Sequence, residues 1–122
     1  MRVSRICLPG KSLMVHWLLV SLALILTTGA NVAAQEASYT LVIKDHRFQP
    51  AEIEIPAGQK IALTVKNDDA TPEEFESTEL RREKVVPGGG QITIYIGPLK
   101  SGRYEFVGDF NPRTARGHII VK

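Results

Sequence analysis

The chain has 122 residues, and its 15 lysines and arginines against 13 aspartates and glutamates give a formal net charge of +2. This length predicts a single domain, and so small a charge excludes the strongly basic surface with which proteins bind nucleic acid. The only cysteine, Cys7, has no partner for an intramolecular disulfide, so an apolar core must supply the stability of the fold.

A segment of signal-peptide type opens the chain. Basic residues precede an apolar run at residues 13–26, and small residues of the kind that a signal peptidase reads follow it as far as Ala34. The run of about 14 residues is shorter than the roughly 20 that a membrane-spanning helix needs. We therefore expect residues 1–34 to be a cleaved signal peptide and residues 35–122 to be one periplasmic domain. The alternative is an uncleaved membrane anchor.

Cleavage would change the charge and the chemistry of the chain. Residues 1–34 hold three of the 15 basic side chains and no acidic one, so their removal leaves 12 basic against 13 acidic residues and a formal net charge of −1. Every Cys, Met and Trp also lies in that segment. Residues 35–122 therefore have no sulfur atom to offer a metal ion.

From residue 39 onward, apolar and polar side chains alternate with a period of two, which is typical of half-buried strands. Turn residues such as Pro and Gly separate these short runs. The runs are residues 39–44, 52–55, 60–66, 91–96, 103–106 and 119–121. Short strands at this spacing predict an all-β, Greek-key antiparallel β-sandwich. Residues 73–84 are the one stretch that would hold a helical turn or two.

Two segments resemble the small bacterial cupredoxins. Residues 48–61 are similar to the F-x-P-x-x-I-x-V-x-x-G opening of that family, and residues 102–112, followed by residues 117–121, are similar to its G-x-Y-x-F-x-C-x-x-H-P…G-x-I-x-V ending. The resemblance covers nearly all of residues 35–122. It implies a cupredoxin-like domain over those residues.

The resemblance does not extend to the copper ligands. A blue-copper centre needs two imidazoles, a thiolate and usually a weak thioether. Glu73 and Asn111 stand at the two His positions, Gly108 stands at the Cys position, and the Met position falls near Thr114 or Ala115. Because residues 35–122 contain no Cys or Met, no other alignment restores the site. We therefore expect no blue-copper centre.

A narrower resemblance concerns residues 71–77, 85–90 and 108–110. The sequences of these segments are similar to those of the cupredoxin-like domains of EfeO type, which accompany bacterial iron-uptake permeases in the periplasm. This implies a non-enzymatic accessory protein that handles iron, or copper, beside an inner-membrane permease as its partner. The chain departs from some of these relatives at Asn111 and Thr78, where they keep a His. The alternative function is a metal-free β-sandwich that acts as a protein-interaction module.

Glu73 is the leading candidate site residue. Strand parity places its side chain on the core side, at the open end of the sandwich near Asp109 and Asn111. A buried anion must be paired, metal-bound or protonated. One hypothesis is an oxygen-rich metal site made of Glu73, Asn111 and Asp109, which favours a hard cation such as iron. A second is an ion pair in which Arg113 or Arg116 replaces the metal, and a third is a fully solvated carboxyl group.

The remaining polar candidates are an acidic run and two histidines. We expect the acidic run to be a solvated surface, with a cation-attracting face as the alternative. His46 and His118 are expected to be ordinary surface residues, and metal ligation by His46 with a nearby carboxylate is the alternative. The acidic run consists of Glu74, Glu76, Glu79 and Glu83.

Overall fold

The computed structural model describes residues 35–122, so the predicted signal peptide lies outside the described residues. The described residues form nine strands. No helix long and apolar enough to cross a membrane occurs among them. The strands are β1 (Ala37–Lys44), β2 (Arg47–Gln49), β3 (Glu52–Ile55), β4 (Ile61–Asn67), β5 (Glu73–Ser77), β6 (Arg82–Val86), β7 (Gln91–Ile96), β8 (Gly102–Gly108) and β9 (Arg116–Val121).

The strands form two sheets, which confirms the predicted all-β sandwich. The first sheet has the order β2-β1-β4-β7, and the second has the order β3-β9-β8-β5-β6. The prediction of purely antiparallel pairing needs correction, because β1 pairs with β4 in parallel and β3 pairs with β9 in parallel. The chain crosses to the second sheet at β3 before it returns to the first at β4, so β4 enters beside β1 in the same direction.

Residues 73–84 form a hairpin and not a helical turn. β5 and β6 pair antiparallel from Glu73↔Val86 to Ser77↔Arg82, and residues 78–81 make the tight turn between them. Burial alternates along β5, with Phe75 enclosed and its neighbours on the outer face. The period of two therefore decides the structure here, although the segment is highly charged.

Three phenylalanines fill the core near one end of the sandwich. Phe106 packs against Phe48 edge to face at 4.9 Å and stacks on Phe75 at 5.3 Å, measured between ring centroids. Burial of each ring stabilises the fold by roughly 1.5–3 kcal/mol. Phe75 lies opposite Gly108 in the pairing of β5 with β8. The core contacts thus bring the start of β5 and the end of β8 together.

We call this end of the sandwich the loop end, defined by residues 45–46, 68–72 and 109–115. Asp45 N donates to Asp69 Oδ1 at 2.8 Å, which ties the first two of these segments together. The start of β1 and the end of β9 lie at the opposite end. There Ala37 pairs with Ile61, and Ala57 N donates to Lys122 O at 2.8 Å.

Candidate functional site

Glu73 lies at the loop end and is 1% exposed. Its Oε2 accepts a hydrogen bond from Asn111 Nδ2 at 2.7 Å. Its Oε1 accepts one from Phe110 N at 2.9 Å and one from Glu74 N at 3.0 Å. Both oxygens therefore accept hydrogen bonds from N–H groups. The burial of this polar side chain is thus compensated by three N–H donors.

Gly108 provides the space that the Glu73 carboxyl group occupies. A Cβ atom at Gly108 would lie 2.7 Å from Glu73 Cδ and 2.6 Å from Ala115 Cβ. Backbone bonds fix the same loop, since Gly108 N donates to Ala115 O at 2.8 Å and Ala115 N donates to Asn111 O at 2.9 Å. Only glycine fits at position 108 without displacing one of these groups.

The four positions that the resemblance aligned with copper ligands therefore meet in space. They are Glu73, Gly108, Asn111 and, of the two candidates for the fourth position, Ala115, and they form one hydrogen-bonded and packed cluster. Their chemistry does not fit a blue-copper centre, because the cluster has neither an imidazole nor a thiolate. A metal ion would also have to displace N–H groups that already satisfy the carboxylate.

The other predicted site residues lie apart from Glu73. Asp109 is exposed, and its charge acts on Glu74. Arg113 is exposed, whereas Arg116 forms an ion pair with Glu105 and donates to Pro112 O at 3.2 Å. The alternative of an Arg113 or Arg116 ion pair with Glu73 is not found within residues 35–122. Amides of the loop itself reach the carboxylate and leave the arginines on the surface.

A tight turn faces this loop. Asp45 and His46 both have positive φ angles, 51° and 55°, which non-glycine residues rarely adopt. Asp69 holds the turn, because its Oδ1 accepts from Asp45 N at 2.8 Å and its Oδ2 accepts from His46 N at 2.9 Å. The hydrogen bond from His46 N is the main reason that the pKa of Asp69 lies below its usual range. Asp69 was not among the predicted site residues.

Asn67 orients Asp69 from the core side. Its Oδ1 accepts from Asp69 N at 3.0 Å, and its Nδ2 donates to Thr71 O at 2.8 Å and to Val86 O at 3.2 Å. The sequence signal that could have found this arrangement is the N-x-D pattern at residues 67–69, which turn-forming side chains commonly produce.

The turn and the loop together line a shallow depression. Phe110 is its main apolar side chain and is 49% exposed, an unusual exposure for so large a ring. His46 enters from the turn, with 48% of its side chain exposed. The alternation of residue types does not predict this position of His46, because its proximity to the loop depends on the fold. The lining residues are His46, Phe110, Asn111, Pro112, Arg113 and Thr114.

Three residues of the predicted acidic run, Glu74, Glu76 and Glu83, lie on β5 and β6, and Glu79 lies in the turn between these strands. Loss of water contact and a hydrogen bond with the Glu83 carboxyl group raise the pKa of Glu74, and the charges of Asp109 and Glu76 act in the same direction. No group of three or more His, Cys, Asp or Glu side chains within residues 35–122 has the spacing of a metal site.

Two known proteins illustrate the relationship by sequence and by structure. RP394, an uncharacterized protein of Rickettsia prowazekii (strain Madrid E), is 51% identical over 81 residues, which are 66% of this chain and 65% of that protein. The match therefore spans slightly less than two thirds of the relative. Auracyanin A, a "blue" copper protein of Chloroflexus aurantiacus, superposes with a TM-score of 0.63 at 12% identity, covering 72% of this chain and 100% of its own.

A further structure gives the same fold. The metal-binding domain of the Cu(I)-exporting P-type ATPase CopA of Streptococcus pneumoniae D39 has a TM-score of 0.60 at 17% identity and covers 70% of this chain and 84% of its own. At such identities the likeness concerns the fold alone. The profile of the family described as "Cupredoxin-like domain" matches residues 15–121. The chain therefore belongs to the family of cupredoxin-like domains.

Proposed function

We propose that this protein is a periplasmic interaction module of an iron-uptake system, which docks on an inner-membrane permease through its loop end. The observation that carries the proposal is the Glu73 network. Glu73 stands at a ligand position of the family, yet both of its oxygens bind N–H groups, two of which belong to residues 110 and 111. The cluster thus resembles a structural support more than a metal centre.

The network supports docking because it fixes the loop that presents Phe110. An exposed aromatic side chain on a rigid backbone loses little conformational entropy when it is buried by a partner. Such side chains often provide much of the binding energy at protein interfaces. Phe110 N is itself bonded to Glu73, so the ring extends from a fixed backbone position.

The setting of the proposal comes from resemblance. The signal-peptide pattern of residues 1–34 supports a periplasmic location. The similarity to EfeO-type domains supports an iron-uptake system and a permease as partner. Two domains of the same fold are described as copper proteins. The resemblance aligns positions 73, 108 and 111 with copper ligands, and this chain has Glu, Gly and Asn there.

Cross-linking in cells tests the docking function. A photoreactive phenylalanine analogue would replace Phe110 in the full chain, coexpressed with the iron permease of the same organism. Val85, which is 46% exposed on β6, is the matched control position. We expect a covalent adduct with the permease from position 110 and none from position 85. Equal adducts from both positions, or none from either, would contradict docking through the loop end.

Transient handling of iron or copper by Glu73, Asp109 and Asn111 is the second candidate function. It is favoured by the crowding of carboxyl groups at this corner, where Asp109 and Glu83 both act on Glu74. Calorimetric titration with Fe²⁺ in the absence of oxygen, and with Cu²⁺, distinguishes the two functions. Binding heat that disappears in both Glu73→Ala and Asn111→Ala would support metal handling. Titrations unaffected by these substitutions would leave docking as the function.

A further inference from the structure

We infer that the loop end recognises an acidic segment of its partner, with a partner carboxylate held by His46 and Arg113 and an apolar side chain packed on Phe110. The inference rests on the proposed docking function and specifies the chemistry of the partner. It follows from three properties of the depression at the loop end, namely its lining, the fixed position of His46, and the charges around it.

The lining combines one apolar centre with donors and a cation. Phe110 and Pro112 supply apolar surface, and Arg113 supplies a guanidinium group, which binds carboxylates in a bidentate geometry. None of the described residues that line the depression carries a carboxylate. An anionic group can therefore enter without facing a like charge in the lining.

His46 is held in place rather than merely exposed. Its backbone has a φ angle of 55°, and Asp69 stabilises this conformation through the amides of residues 45 and 46. The ring Nδ1 lies 3.7 Å from Asp69 Oδ2, so the nearest described carboxylate approaches the ring on its Nδ1 side. The Nε2 atom has no hydrogen-bond partner among the described residues, so this side of the ring is open to a ligand.

The surrounding charges limit how such a segment can lie. Glu74, Glu83 and Asp109 crowd the outer face of the second sheet beside the loop, as the raised pKa of Glu74 indicates. They would repel an acidic chain that extended across that face. The segment is therefore directed toward the turn at residues 45–46. There the positive charge of Lys44 acts on Asp69, and the exposed Arg47 follows His46 in the chain.

Fluorescence anisotropy with two synthetic peptides tests the inference. One fluorescein-labelled peptide alternates Glu and Leu, and the other alternates Lys and Leu. The protein is expressed as the full chain and purified from the periplasm. We expect the acidic peptide to bind more tightly, and we expect Arg113→Glu to weaken it about tenfold or more. Lys100→Glu makes the same charge reversal at the opposite end and should have a much smaller effect.

Two further variants test the positioning of His46 and the apolar contact of Phe110. Asp69→Asn removes a negative charge, which by itself would strengthen binding of an acidic peptide. We expect it to weaken binding, because the turn that presents His46 loses a hydrogen-bond acceptor. Phe110→Ala should weaken binding, whereas Val85→Ala should leave it unchanged.

The outcome of this experiment is separable from that of the cross-linking experiment. An acidic peptide that binds no better than the basic one overturns the inference about partner chemistry, even when position 110 cross-links to the permease. Failure of the Phe110 cross-link overturns the docking function itself. Stronger binding by Asp69→Asn would overturn the positioning role of Asp69.

Discussion

Asn111 Nδ2 donates a 2.7 Å hydrogen bond to Glu73 Oε2 across 38 positions of the chain. This bond joins the first residue of β5 to the loop between β8 and β9, at two positions that the family resemblance aligns with copper ligands. Unlike a metal ion, the bond depends only on groups that the chain itself supplies. The shape of the loop is therefore set when the domain folds.

Replacement of Glu73 should destabilise the domain. Glu73→Ala leaves three N–H groups without their acceptor in a buried site, and each unsatisfied group costs about 1–3 kcal/mol unless water reaches it. We expect the free energy of unfolding, measured by urea denaturation, to fall by at least that amount. Asn111→Ala should cost less, since the two backbone donors remain. Glu54→Gln, at an exposed surface ion pair, should change it by less than about 1 kcal/mol. Equal losses in all three variants would contradict a structural role for Glu73.

Gly108→Ala should also destabilise the domain, because its methyl group would lie 2.7 Å from Glu73 Cδ and 2.6 Å from Ala115 Cβ. Such overpacking typically costs about 1–3 kcal/mol. The cost should be smaller when Glu73→Ala is already present, since one of the two obstructing groups is gone. A double-mutant cycle by urea denaturation measures this coupling. Strict additivity of the two substitutions would show that the groups do not compete for the same space.

Asp69 should make stability depend on pH in the acid range. Its pKa in the folded state lies below the ordinary value of 3.8, so its contribution is present above that value and is lost as the pH falls through the folded-state pKa. Asp69→Asn should therefore lower the melting temperature at neutral pH and have little effect near pH 2, a value well below the usual carboxyl range. Melting curves followed by circular dichroism check this. A pH-independent difference would contradict the assignment.

Glu74 should change the pH dependence of stability in the opposite direction from Asp69. The pKa of Glu74 is raised above the ordinary value of 4.5, so the folded state favours the protonated carboxyl group. The stability that protonation of Glu74 supplies is therefore lost as the pH rises through the folded-state pKa. Glu74→Gln should raise the melting temperature at pH 7 and lose this advantage in acid. Glu36→Gln serves as the control, because Glu36 directly precedes β1 and forms a surface ion pair with Lys60. A destabilised Glu74→Gln variant at pH 7 would refute the prediction.

Alternation of residue types was sufficient to predict the class of fold and the side on which Glu73 lies. The same period of two that places Phe75 in the core also places Glu73 there, and the structure buries both. The parallel pairs β1–β4 and β3–β9 could not be predicted in this way, since the alternation within a strand carries no information about the direction of its neighbour.

The sequence placed Asn111 near Glu73, but the hydrogen bonds that the Glu73 carboxyl group accepts were beyond sequence reasoning. Arg113 and Arg116 were reasonable candidates by charge, but the choice depends on the backbone path of residues 109–115. That path aims the Phe110 amide and the Asn111 side chain at the carboxylate. The approach of His46 to the same loop depends on Asp69, which is 23 positions away and acts through backbone amides rather than through a recognisable motif.

The direction of the strands has a practical consequence for how the domain can be attached. β1 starts and β9 finishes at the end of the sandwich remote from Phe110. A tether at either point, whether a membrane anchor, an affinity tag or a surface linkage, would leave the Phe110 side turned outward and accessible. Immobilised protein should thus retain its full capacity for partners that approach from solution.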